Sequence, residues 1–378
     1  MRPGLREATV VHLLPLDVLR GAQLYAHALR DALRAGGGRH HIVTLFASSG
    51  PGPGCDLSLA VPAGRLRRAG FDPRAAIRLR GVLRELGADV VVAHGGEPLK
   101  YAAFARPRDT RLIYLKIGLT GGALRTGLQL RLLRAAAQRT DAIAAVSDEM
   151  AEEARLLLGR AATRIVVIPN GRDADTFRPR ATRPAGHRPR LAFVGQLEPD
   201  KRPELFCDVV RALRERGAAP DAVLVGDGAL LGALRSVAGS AGVDLLGARV
   251  DVPDILAGCD VLVFCGAGRE GMPGVLIEAG LCGLPAVTTA VPGAADVVED
   301  GVTGFVVGVD DEDALIDRSG RLAVDAALRE RMGSAARDRC VERFSIQASA
   351  RRWQALLDCA LREPGDTAPG SARHSSGE

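Results

Sequence analysis

Short runs of β-branched and aliphatic residues alternate with helix-period segments along nearly the whole chain, and this alternation restricts the possible folds more than any other feature. It argues for parallel sheets built from strand–helix units, because a parallel crossover returns the chain through a helix. TVVHLLP (9–15), HIVTLF (41–46), DVVVAH (89–94), RLIYLK (111–116), DAIAAVS (141–147) and RIVVIPN (164–170) read as strands of a first unit. A helix is expected from about Gly21 to Arg34, with Leu24, Ala28, Leu29, Ala32 and Leu33 near helical spacing; others are expected over 74–86 and 125–139.

From residue 179 the chain turns rich in Pro and Arg and loses periodicity, so residues 179–189 read as a linker between a domain at 1–178 and one at 190–345. The alternation restarts with LAFVG (191–195), AVLVG (222–226), VDLLG (243–247), DVLVFCG (260–266), PAVTT (285–289) and GFVV (304–307). Helices are expected near 201–216, 228–240, 274–282 and 325–342, with a final amphipathic helix over about 346–362 that crosses back to the first domain. The tail 363–378 has the composition of a disordered segment. Two consecutive α/β sheets place ligands at the carboxyl ends of their strands, in the crevice between lobes.

Composition narrows the function classes. Apolar residues make up 47% and aromatics only 3%, so two cores must be built from Leu, Val, Ile and Ala. No apolar run reaches the roughly 18 residues of a membrane span. The apolar stretch at the N-terminus is broken by His12 and lacks a cleavage site, which argues against a signal peptide. Seven cysteines, without a CxxC pair and mostly inside apolar runs, read as buried thiols of a reducing compartment; a cytoplasmic location is expected. Residues 1–185 carry 29 Lys/Arg against 16 Asp/Glu, and residues 186–378 carry 21 against 29. The basic half either attracts an anionic acceptor or the inner face of a membrane, or simply displays Arg on solvated helices. No feature points to nucleic acid.

REGMPGVLIEAGLCGLPAV (269–287) carries the strongest chemistry. A strand ends in a loop with Glu270 and Gly271, and a helix begins near Pro273, where proline's missing N–H is unused. Free amides and the helix dipole form an anion site there. Gly271 and Gly274 permit close approach of a ligand, and Glu278 lies about one turn in. Carboxylates suit the hydroxyls of a sugar or ribose, which donate hydrogen bonds. In GQLEPDKRPEL (195–205), Asp200 reads as the cap of a helix whose first turn holds Lys201 and Pro203. A cation at that end opposes the dipole and makes sense if an anion sits between them.

Glu270-x7-Glu278 resembles the signature of the retaining glycosyltransferases of family 4, the group 1 transferases, whose fold is the two-lobed GT-B arrangement. The likeness covers most of the chain. VHLLPLDVLRGAQLYAHALRDAL resembles the family's first strand, glycine loop and helix. VSDEMAEEA and RIVVIPNGRDADTFRP resemble the end of its first lobe; VGQLEPDKRPELF, LVGDGALLGAL and GLPAVTTAVPGAADVVEDGVTGFVV resemble parts of its second. The resemblance implies an α/β fold of two Rossmann-like domains facing a cleft. It implies that Glu278 binds the donor's ribose, that Glu270 contacts the donor sugar, and that the amides around Met272, Gly274 and Val275 face sugar and diphosphate. Many relatives carry Arg where this chain has Gln196, so diphosphate binding leans on Lys201, together with Arg202 or a first-lobe residue. Gly21 is either the family's phosphate-approach glycine or an ordinary tight turn. His94, ending its strand, stands where relatives place a His near the transferred sugar, and Lys116 is an acceptor-side candidate. The implied donor is a nucleotide-diphosphate sugar, with no cofactor and no metal; the acceptor is anionic or lipid-linked, or another molecule.

Asp173-Ala-Asp175 looks like the metal-binding DxD of other transferases but reads as a structural turn. Gly226-Asp-Gly228-ALLG resembles a dinucleotide fingerprint with the wrong spacing, and Asp244 begins rather than ends the next strand; it keeps an NAD(P)-dependent oxidoreductase as a different-class alternative. A nucleotide-sugar epimerase, or a non-catalytic pair of sugar-nucleotide-binding lobes, remains within the fold.

Overall fold

The computed structural model describes residues 7–48, 52–62, 64–120, 127–158, 164–180, 188–268 and 270–362. Most of the expected linker and all of the expected tail lie outside them.

The aliphatic runs form strands, and all pairings between them are parallel. The first sheet holds β1 (Thr9–Leu14), β2 (Arg39–Phe46), β3 (Leu57–Val61), β4 (Val90–His94), β5 (Arg111–Lys116), β6 (Ala142–Ala145) and β7 (Arg164–Val167), in the order β3-β2-β1-β4-β5-β6-β7. The second holds β8 (Arg190–Val194), β9 (Asp221–Val225), β10 (Asp244–Gly247), β11 (Val261–Phe264), β12 (Ala286–Thr289) and β13 (Gly304–Val307), in the order β10-β9-β8-β11-β12-β13. Both follow the doubly-wound pattern in which strand order reverses beside the first strand. The reversals fall between β1 and β4 and between β8 and β11, so each lobe opens its ligand crevice there.

Both faces of each sheet are covered. Val11, Leu13, Val91 and Ala93 pack on one side of the first sheet, while Val10, Val90 and Val92 face the other. That second side joins a cluster that also contains Tyr25 and Leu29 of helix Gly21–Ala35, Leu276 and Ile277 of helix Gly274–Leu281, and Trp353 of helix Ile346–Leu361. The two lobes therefore share one apolar core across the base of the cleft.

Helix Ile346–Leu361 starts at Ser345, whose Oγ accepts from Ala348 N. It packs on helix Gly21–Ala35 through a directional chain: Trp353 Nε1 donates to Tyr25 Oη (2.9 Å), the Tyr25 and Ser349 hydroxyls lie 2.8 Å apart, and Ser349 donates to Pro169 O (3.1 Å). Burial pushes the Tyr25 hydroxyl up to about 12. Gly171 abuts Ile346 so closely that a Cβ would meet its Cα at 2.8 Å, which explains a glycine where the chain leaves the first lobe.

Several elements differ from the sequence reading. The helix expected from 201 begins at Pro203 instead, after a 3-10 turn over Pro199–Lys201. A proline disfavours right-handed helical backbone in the residue before it, and Arg202 leaves that region for a left-handed conformation (φ 48°) that separates the 3-10 turn from the helix. Lys201 thus precedes the helix, and Asp200 does not cap it. Helices Gly96–Ala105, Asp148–Leu158 and Glu312–Val324 and strand β3 had no counterpart in the sequence reading.

Candidate active site

The loop after β11 and the segment after β8 meet at the reversal point of the second sheet. There the side chains of Lys201 and Glu270 form an ion pair. Burial, opposed by Asp200, lowers the Lys201 ammonium below its usual range. Two residues assigned separately to phosphate and to sugar are therefore paired with each other. Gln196 is exposed two residues past the carboxyl end of β8. Arg202 is turned to backbone: its Nε donates to Cys265 O (2.8 Å) and its Nη2 to Val309 O (2.5 Å), so it ties the second lobe together.

Helix Gly274–Leu281 begins one residue past Pro273, which occupies the N-cap with extended ψ and offers no side-chain cap. Leu276 N donates to Pro273 O (3.2 Å), and no side chain caps the amides of Gly274 and Val275 before it. Glu278 accepts from Arg172 Nε at 2.6 Å. Arg172 comes from the loop that leaves the first lobe, and its Nη2 lies where a Cβ on Gly274 would sit and 3.6 Å from where one on Gly21 would. Gly21 is the first residue of helix Gly21–Ala35, again without a side-chain cap. The glycines at 21 and 274 therefore bring two helix N-termini, one from each lobe, against one guanidinium. Gly271 faces across the cleft, where an added Cβ would strike the carbonyl of Ile117. Its small size serves lobe-to-lobe packing, a reason other than the ligand approach inferred from sequence. Met272 is buried, with its carbonyl 3.5 Å from Asn170 Nδ2, and Val275 is half-buried beside it.

His94 ends β4 at the other lobe's reversal point and is buried. Its Nε2 lies 3.0 Å from His12 Nδ1, and His12 Nε2 lies 3.3 Å from His40 Nδ1, so three imidazoles on adjacent strands are bonded in series. Burial, with His27 nearby, lowers His94 to about 3; burial and Arg34 lower His40 to about 4, and His12 is lowered mainly by burial. Three neutral rings in series have two consistent proton arrangements. In one, His94 Nδ1 carries a proton; in the other it is bare. That atom has no partner among the described residues. The series runs from ring to ring, and among the described residues no group of three or more His, Cys, Asp or Glu is arranged to hold a metal ion.

Lys116 is wholly buried, and its ammonium is held by Gly118 O (2.9 Å), Thr120 Oγ1 (2.9 Å) and Glu153 (2.6 Å). It shapes the loop that meets Gly271 rather than presenting a free cation. Asp173 accepts from Asp175 N and Thr176 Oγ1 within its own turn. The Gly226 and Gly228 positions press against Gly195 and Leu197 backbone, so those glycines serve chain packing. Of the residues shown here, Arg172, His12 and His40 were missed by sequence reasoning. A histidine inside an otherwise aliphatic strand was the available signal for His12; Arg172 sits in an irregular loop and gave none.

Two Rossmann-like lobes, each opening a crevice where its strand order reverses and facing the other across a cleft, define the α/β GT-B class. Residues 188–325 match the sequence profile described as "Glycosyl transferases group 1", and residues 19–176 that described as "Glycosyltransferase Family 4". The chain belongs to glycosyltransferase family 4. It is 28% identical over 307 residues to an exopolysaccharide phosphotransferase of Streptomyces coelicolor, covering 76% of this chain and 30% of that protein. It is 31% identical over 199 residues to the UDP-Gal:alpha-D-GlcNAc-diphosphoundecaprenol alpha-1,3-galactosyltransferase of Escherichia coli, covering 48% of this chain and 51% of the relative. The chain thus spans about half the length of these relatives or less. The Anabaena protein HepE, solved in complex with UDP, superposes with a TM-score of 0.74 at 20% identity, covering 93% of this chain and all of the other.

Proposed function

We propose that the chain transfers a sugar from a nucleoside-diphosphate donor to an acceptor hydroxyl with retention of anomeric configuration. The observation that carries this reading is the convergence of Lys201, Glu270, Glu278 and an uncapped helix N-terminus at the carboxyl end of β11. The helix amides and Lys201 take the diphosphate, Glu278 the ribose hydroxyls and Glu270 the sugar. Gly21 approaches the donor from the other lobe, with His94 beside the transferred sugar. In transfer, the bond from the anomeric carbon to the leaving phosphate oxygen breaks, and the bond to the acceptor oxygen forms on the same face. The acceptor proton passes to the departing phosphate oxygen. The protein contributes alignment and charge compensation. UDP in the complex of a fold neighbour and UDP-Gal in the name of a relative support a nucleotide donor.

The acceptor is proposed to be anionic or lipid-linked, approached from a membrane surface on the cytoplasmic side. Helices Arg65–Arg68 and Pro73–Glu85 expose Arg65, Arg68, Arg80 and Arg84 together with Leu66 and Ile77. Among the described residues no helix is long and apolar enough to cross a membrane.

Glu270→Ala tests the assignment. Donor consumption should fall at least a hundredfold, while nucleoside-diphosphate binding by calorimetry stays within a few fold. Retained turnover removes the role of Glu270; loss of binding as well moves it from the sugar to the nucleotide.

A further inference from the structure

The donor site lacks a charge. A diphosphate brings at least two negative charges, and on the second-lobe side Gln196 is neutral and Arg202 is committed to two carbonyls, which leaves Lys201, partnered by Glu270, to meet them. Arg172 stands where the deficit would be met. Its backbone is clamped: its N–H donates to Phe344 O (3.0 Å) and its carbonyl accepts from Ile346 N (2.7 Å), so the side chain cannot swing aside with a mobile loop. The residue is only 8% exposed. Nε is taken by Glu278 and Nη1 by Gly171 O, whereas Nη2, turned toward Gly274 and Gly21, has no acceptor among the described residues.

Two independent features make this place want an anion. The helices that start at Gly21 and Gly274 both lack a side-chain cap, and neither carries an acidic residue in its first turn. A guanidinium packed against two positive helix ends, with one carboxylate for company, is unfavourable until a further anion joins. A phosphate placed there would accept from both sets of amides and from a planar fork suited to phosphate oxygens.

We infer that Arg172 is a diphosphate-binding residue of the donor site, supplying from the first lobe the cation that position 196 lacks. By holding Glu278 through Nε and phosphate through Nη2, it sets the spacing between the ribose and diphosphate subsites. The inference rests on the donor-site reading above.

Calorimetry with the nucleoside diphosphate that the wild type selects among UDP, GDP, ADP and TDP, and with the matching nucleoside, provides the test. Arg172→Gln should weaken the diphosphate at least tenfold and the nucleoside less than threefold. Adding Gln196→Arg to that variant should recover much of the loss. Equal weakening of both ligands would reduce Arg172 to a support for Glu278 and overturn the inference, as would unchanged affinity. If R172Q does not fold, Arg172→Lys, which keeps the charge but loses the fork, should show a partial loss confined to the diphosphate; a loss shared by the nucleoside overturns the inference. A wild-type protein that binds none of the four overturns the donor-site reading itself.

Discussion

Among single residues, the buried histidines have the widest consequence. His12, His40 and His94 fold as neutral imidazoles, because burial disfavours the charged form and Arg34 adds a repulsive charge near His12 and His40. Their folded pKa values lie below the usual 6.5, at about 4 for His40 and about 3 for His94. Between those values and pH 6.5 the unfolded chain binds protons that the folded chain refuses. Stability from this series is therefore fully present above about pH 6.5 and is lost as pH falls toward the folded values, by about 1.4 kcal/mol per pH unit for each proton. Denaturant unfolding from pH 7 to 4.5 should show that slope, and His40→Asn should flatten it by about one proton. An unchanged slope in the variant would mean that His40 charges freely in the folded protein.

At the scale of elements, the last helix is the informative one. Ile346–Leu361 lies far from Gly21–Ala35 in sequence, yet Trp353 is fully buried and bonded to Tyr25. Truncation of a large buried aromatic costs about 3–5 kcal/mol, so Trp353→Ala should lower the unfolding free energy by about that much. Trp353 is the one tryptophan of the chain, so emission reports this contact alone. Native fluorescence should be blue-shifted, and Leu357→Asp, aimed at the same buried face, should move it red if the helix undocks. Emission already red in the wild type would contradict the packing.

Element by element, legibility followed the sharpness of the local pattern. β5 and β13 have the limits read from RLIYLK and GFVV, because short aliphatic runs bounded by loops have few alternatives. Helix Gly96–Ala105 went unread because it is buried on most sides and opens with glycine, which removes both the amphipathic period and the cap signal. β3 is an edge strand with alternating exposed residues and a register irregularity against β2, so its pattern is weak. The start at Pro203 turned on a local rule about proline that the helical pattern concealed.

For the whole molecule, charge is divided between the lobes. The 29 Lys/Arg against 16 Asp/Glu of residues 1–185 include the exposed arginines of helices Arg65–Arg68 and Pro73–Glu85. Each basic residue near an anionic surface contributes about 1 kcal/mol, within a Debye length. The protein should float with vesicles containing anionic phospholipid at low salt, and separate from them at about 0.5 M salt, where screening is nearly complete. Arg80→Glu with Arg84→Glu should weaken flotation. No flotation at low salt would remove the membrane from the proposal and leave a soluble anionic acceptor.

The sequence by itself determined the class. Strand–helix alternation required parallel sheets, the restart after residue 189 required two of them, and ordered motifs from Gly21 to Glu278 marked the family. These are local properties: periodicity, caps, and turn residues act within a few positions of one another. Tertiary structure alone decided the partnerships: Lys201 with Glu270, Arg172 with Glu278 across 106 positions, Lys116 with Glu153, and the series His40–His12–His94. Three of these form within one lobe, where parallel pairing sets strands and loops from distant parts of the chain side by side, and Arg172 meets Glu278 because the two lobes share one core; no spacing along the chain encodes either distance.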